Sequence, residues 1–191
     1  MDVVDYVERW RRFAGRLTRT SGVESVSEIG RGYSAEELAD MEHDLAARFR
    51  APGFVLPQPL RALIGASLSL RVQWVVRSPT TVTGSVWLTP QDVFETDEES
   101  GVDHIDFWGT ERVLEPISDS ESVTIVFAGP NNTEPGLYFR DGDRRWPLRL
   151  TVADYLAHTW RHRGRYGWQR VLATDGDLHA FVAAGLPRQI D

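Results

Sequence analysis

The hydrophobic positions of this chain follow two different periods, and the change from one to the other sets out its architecture. Val3, Tyr6, Val7, Trp10, Phe13, Ala14 and Leu17 recur at three- and four-residue intervals, which predicts an amphipathic helix over 3–19. Gly22 stops it, and 23–33 reads as a loop. Ser34 followed three residues later by Glu37 forms a capping box. Leu38, Met41, Leu45 and Phe49 then mark a helix over 35–49 that Ala51-Pro52-Gly53 ends. Pro57 suits the first turn of a shorter helix carrying Leu60, Leu63 and Ile64.

From there the period is two. Leu68, Leu70, Val72 and Trp74 alternate with Ser69, Arg71 and Gln73, which predicts a half-buried strand over 68–77. A second strand follows at 81–88, with a bulge expected at Gly84. Segment 90–122 has little periodicity and reads mostly as loop, whereas 123–128 reads as a central strand. Asp141-Gly142-Asp143 predicts a hairpin between strands at 137–140 and 145–150. Thr151 caps a further helix bearing Val152, Tyr155, Leu156, Thr159 and Trp160, and a last short helix is expected at 177–184 before Gly185 and Pro187. Helices at both ends and strands in the middle argue for an α+β fold with a central, mostly antiparallel sheet in a single domain.

The order of capped helix, Leu-Pro, short helix and strand ending in Trp74 resembles the entry to the SUKH superfamily. The Asp141-Gly142-Asp143 hairpin feeding a closing helix, and the Arg-Gly-Arg-Tyr-Gly-Trp-Gln run at 163–169, are similar to the later part of that pattern. The resemblance spans 34–170 and leaves 1–22 as an N-terminal helical extension and 171–191 as a C-terminal one. The superfamily includes bacterial immunity proteins that neutralise polymorphic toxins and a eukaryotic branch of cell-wall and signalling regulators. What it implies is a protein-binding module rather than an enzyme, and fold alone does not name the partner.

Composition narrows the chemistry. The 191 residues are 41% hydrophobic and include seven Trp, enough for a substantial core. There is no cysteine, so disulfides, thiol nucleophiles and Cys-ligated zinc are excluded. All 21 basic residues are arginine, which excludes a Schiff-base lysine and a P-loop. No run is long enough for a membrane span, and the first residues lack the pattern of a signal peptide, so the expected location is the cytoplasm. The formal charge is −7 and unevenly placed: segment 90–122 holds eleven acids against Arg112 alone, while 144–170 is rich in arginine.

The catalytic motifs are incomplete. His158 and His162 stand four apart on a predicted helix, the spacing of two metal ligands, but Thr159 occupies the place of the zincin glutamate; Asp154 or His179 would have to supply a third ligand. Asp141-Gly142-Asp143 and Asp175-Gly176-Asp177 echo calcium loops without the remaining ligands. No Gly-x-Ser-x-Gly elbow is present. No metal or cofactor is therefore expected. The arginines of 152–165 read as a solvated helix face rather than a nucleic-acid site.

Trp10, Trp74 and Trp160 read as core, and Trp87 lies on the more open side of its strand. Trp108 sits within the acidic segment, either as an interface anchor or as a pin fixing the loop to the sheet. The expected partner surface is Asp92, Glu95, Asp97, Glu98, Glu99, Asp103, Asp106 and Trp108, facing a protein with a basic surface such as a toxin domain. The alternatives are a constitutive scaffold or regulatory domain and, behind it, an uncharacterised hydrolase or metal enzyme.

Overall fold

In the computed structural model the described residues are 2–77, 80–94, 107–129, 134–176, 178, 181 and 185–190. The N-terminal stripe forms α1 (Val3–Leu17), capped by Asp2, whose carboxylate accepts the Val4 amide at 2.9 Å. All seven stripe residues are buried. Trp10 is fully enclosed and meets Tyr6, Phe13 and Trp160 edge-on, with centroids 6.2, 5.4 and 5.3 Å away.

The strands form two antiparallel sheets where the sequence suggests one. The first joins β1 (Val23–Ile29), β2 (Leu70–Val76) and β3 (Val82–Leu88) in that order. The second is a meander of β4 (Glu111–Pro116), β5 (Glu121–Val126), β6 (Gly136–Asp141) and β7 (Arg144–Pro147). The other helices are α2 (Ala35–Arg48), α3 (Gln58–Ala66), α4 (Val152–Arg161) and α5 (Trp168–Ala173). The fold is α+β.

Three stretches of secondary structure differ from expectation. The loop expected at 23–33 contains β1, which pairs with β2 over all seven residues. Its Val-Glu-Ser-Val-Ser-Glu-Ile sequence hides it, because an edge strand needs little apolar surface. β4 lies inside the acidic segment expected to be mostly loop, and α5 forms where no helix was foreseen. Of the last expected helix, residues 178 and 181 are helical; most of it lies outside the described residues.

Gly84 causes no bulge either: β2 and β3 run in unbroken register from Leu70↔Leu88 to Val76↔Val82. The glycine makes room for the ring of Trp74, its direct cross-strand partner; a Cβ on Gly84 would lie 2.3 Å from Trp74 Cε2. The Trp74 indole donates to the Arg163 carbonyl at 2.8 Å. Residues 164–166 then line β3 as a short pseudo-strand, through Ser85 N–H to Gly164 O at 2.7 Å and Tyr166 N–H to Thr83 O at 3.1 Å. The Arg-Gly-Arg-Tyr-Gly run thus performs a structural task. Gly84→Ala is expected to destabilise by about 2 kcal/mol in urea denaturation through overpacking against a ring that cannot yield. Gly15→Ala, where a Cβ meets open space within α1, should be neutral or stabilising.

Candidate functional site: an acidic cleft beside α2

The capping box forms as expected: Glu37 N–H donates to Ser34 Oγ at 3.2 Å, and Ser34 N–H to Glu37 Oε2 at 2.7 Å. That backbone bond, aided by Arg31, holds the Glu37 carboxyl below its ordinary pKa. α2 buries Leu38 and Leu45, half-buries Met41, and presents Glu37, Asp40 and Asp44 along one outward stripe at helical spacing. Opposite stands a 3₁₀ turn, Asp92–Phe94, at the start of the acidic segment. It is secured by Asp92 N–H to Thr89 O at 3.0 Å and Phe94 N–H to Gln91 O at 2.9 Å, and Arg48 reaches across to the Phe94 carbonyl at 3.3 Å.

Between α2 and this turn lies a cleft of about 480 Å³. Tyr33, Met41, Leu45 and Phe94 supply its apolar lining, Gln91 contributes a polar group, and Glu37, Asp40 and Asp44 supply negative charge against the single positive charge of Arg48. Asp40 and Asp44 are exposed and form no ion pair among the described residues.

The structure divides the acidic segment by role. Glu111 is bound by Arg145 at 2.8 Å and Arg140 at 3.6 Å; Glu121, 4% exposed, is held by Arg170 at 2.9 Å and by the Tyr166 hydroxyl. These carboxylates, with the buried Glu115, serve the fold. Asp92 is exposed on the turn beside the cleft. Glu95, Asp97, Glu98, Glu99, Asp103 and Asp106 lie outside the described residues. Trp108 is half-buried and packs on Phe49, Phe54 and Phe107, with centroids 5.8, 5.9 and 5.1 Å away. Phe107 itself stacks on Phe49 at 3.9 Å, so Trp108 pins this stretch to the core. The α2 stripe was missed because acids at helical spacing read simply as a solvated face.

The two histidines contribute to a packed ring cluster. His158, His162 and Trp168 lie 5.5–5.8 Å apart by centroid, with planes within 14–29° of parallel. Burial draws His158 below its ordinary pKa and His162 down to about 4, with neighbouring positive charge adding to the effect. Among the described residues no three His, Asp or Glu side chains gather as a metal site.

Comparison with known proteins yields no match to this chain among protein-family models, curated proteins or solved structures. What the fold and site define is an α+β protein with two antiparallel sheets and an open acidic cleft. No helix among the described residues is long and apolar enough to cross a membrane.

Proposed function

We propose that the protein is a partner-binding module that acts by occlusion, of the kind used by immunity proteins against toxins with basic active-site surfaces. The carrying observation is the cleft: the Asp40 and Asp44 carboxylates of α2, without an ion pair among the described residues, over an apolar lining and beside the Asp92–Phe94 turn, where the acid-rich 92–106 stretch of the sequence begins. Negative charge at that density attracts a cationic partner from a distance, and the apolar floor rewards its docking. The acid–base group best tuned to neutrality, Glu115, is only 1% exposed and engaged with its neighbours, which suits a structural role better than contact with a substrate.

The test begins with capture of partners from the native host, identified by mass spectrometry, and proceeds to stopped-flow binding. Asp40→Asn/Asp44→Asn should change stability by less than about 1 kcal/mol, since both acids are exposed. It should slow association several-fold at low salt, with the difference vanishing at high salt. Neutralising Asp97, Glu98 and Glu99 together should act in the same direction. If both variants associate at the wild-type rate, the acidic face is only solvated surface and the reading fails.

A further inference from the structure

Glu115 sits where the two sheets meet. The register of β4 against β5 shifts between Val113 and Glu115, and this irregularity turns both Leu114 and Glu115 inward. Leu114 O accepts the Thr89 amide at 3.4 Å, and Glu115 Oε1 accepts the Trp87 amide at 3.3 Å. Two successive residues of β4 therefore hold the end of β3. The other carboxyl oxygen, Oε2, accepts the Tyr155 hydroxyl of α4, and Gln169 of α5 adds a side-chain bond. One side chain joins both sheets and two helices.

Among the described residues, the groups facing it carry no compensating charge. α4 offers Tyr155 and α1 offers Tyr6, both held well above the ordinary tyrosine pKa, first by burial and then by the Glu115 carboxylate. β3 offers the Trp87 amide and α5 the Gln169 amide. Among the described residues an ionised Glu115 has hydrogen-bond donors but no cation, in a site 1% exposed.

We propose that Glu115 is a proton-controlled latch, closing the β3–β4 junction when protonated and loosening it when ionised. The junction leads directly to the cleft. Thr89, which donates to Leu114, also accepts the Asp92 amide, and the turn so anchored places Gln91 and Phe94 in the cleft wall. The latch therefore sets that wall, and only this consequence rests on the partner-binding reading.

Burial raises the Glu115 pKa to about 7, whereas an opened junction returns it towards the ordinary 4.5. Between those values the closed form keeps a proton that the open form lacks, so closure weakens about tenfold per pH unit and then levels off. The test is amide hydrogen exchange by NMR at Trp87, Thr89 and Asp92, corrected for intrinsic rates, on the full chain without partner. Protection in the wild type, taken relative to Glu115→Gln, should fall about 60-fold from pH 5 to pH 7.5 and stay nearly flat above. A ratio that does not change with pH overturns the latch.

Should Glu115→Gln fail to fold, Tyr155→Phe keeps the carboxyl but removes a donor that favours its ionised form. The exchange midpoint should then move upward, and an unmoved midpoint overturns the proposal equally. Because the readout needs no partner, failure of the latch and failure of the binding reading remain separate results.

Discussion

Replacing Trp10 with alanine should cost about 4 kcal/mol of stability, the largest loss expected from a single substitution in α1. The side chain is fully enclosed and its ring touches three aromatic neighbours, two in its own helix and Trp160 in α4. Removing it deletes a large apolar volume and leaves rings that cannot collapse into the space, because each is held by its own packing. Val4, next to the stripe but 54% exposed, provides the control, and Val4→Ala should shift the urea midpoint little. Equal midpoints for the wild type and Trp10→Ala would mean that α1 is not part of the cooperative unit.

The second large effect is a dependence on pH. The folded Glu115 carboxyl, at about 7, lies above the ordinary 4.5, so the folded state binds more protons than the unfolded between those values. Its stabilising contribution is complete below about pH 4.5, declines as pH rises, and is gone above 7. The integrated change is about 3 kcal/mol. His162 acts in the opposite sense. Its pKa is depressed to about 4, so its contribution is present above the ordinary 6.5 and is lost as pH falls. Across 4.5–6.5 the two oppose each other, and wild-type stability alone understates both. The informative quantity is the stability of Glu115→Gln minus that of wild type, which should be about 3 kcal/mol greater at pH 8 than at pH 4.5. Parallel pH profiles would show that Glu115 does not titrate in this window.

The contrast between what could and could not be read in the sequence has a physical origin. α1, α2 and the β2–β3 pair were legible because burial of one face imposes a period, and the Ser34–Glu37 box depends on neighbours three residues apart. β1 was not, because an edge strand is held by backbone pairing that leaves little trace in side-chain pattern. β4 was hidden by its charges. Glu111 and Glu115 look like solvated loop residues until Arg145, Arg140, Tyr155 and the Trp87 amide, all distant in sequence, are brought to them. Gly84 shows the same limit: a glycine within a strand signals a close approach or a bulge, and only the position of the Trp74 ring chooses between them. The cleft was legible only in halves. The acids of 90–122 stood out by density, but the stripe from Glu37 to Asp44 gained meaning when the Asp92–Phe94 turn was placed opposite it.

The meeting of Trp10 with Trp160 has a consequence for biosynthesis. On leaving the ribosome, α1 carries an apolar face whose aromatic centre is sealed by a residue translated about 150 positions later, roughly 10–30 s at ordinary elongation rates. α3, β1 and β2 can shelter part of α1 sooner, but its Trp10 ring waits for α4. During that interval the nascent chain displays a Trp- and Phe-bearing amphipathic helix, the kind of segment that holdase chaperones bind and that associates with other exposed chains. A nascent chain stalled before α4 would carry this surface indefinitely, so truncated products should be insoluble even though most of the first sheet has already been made.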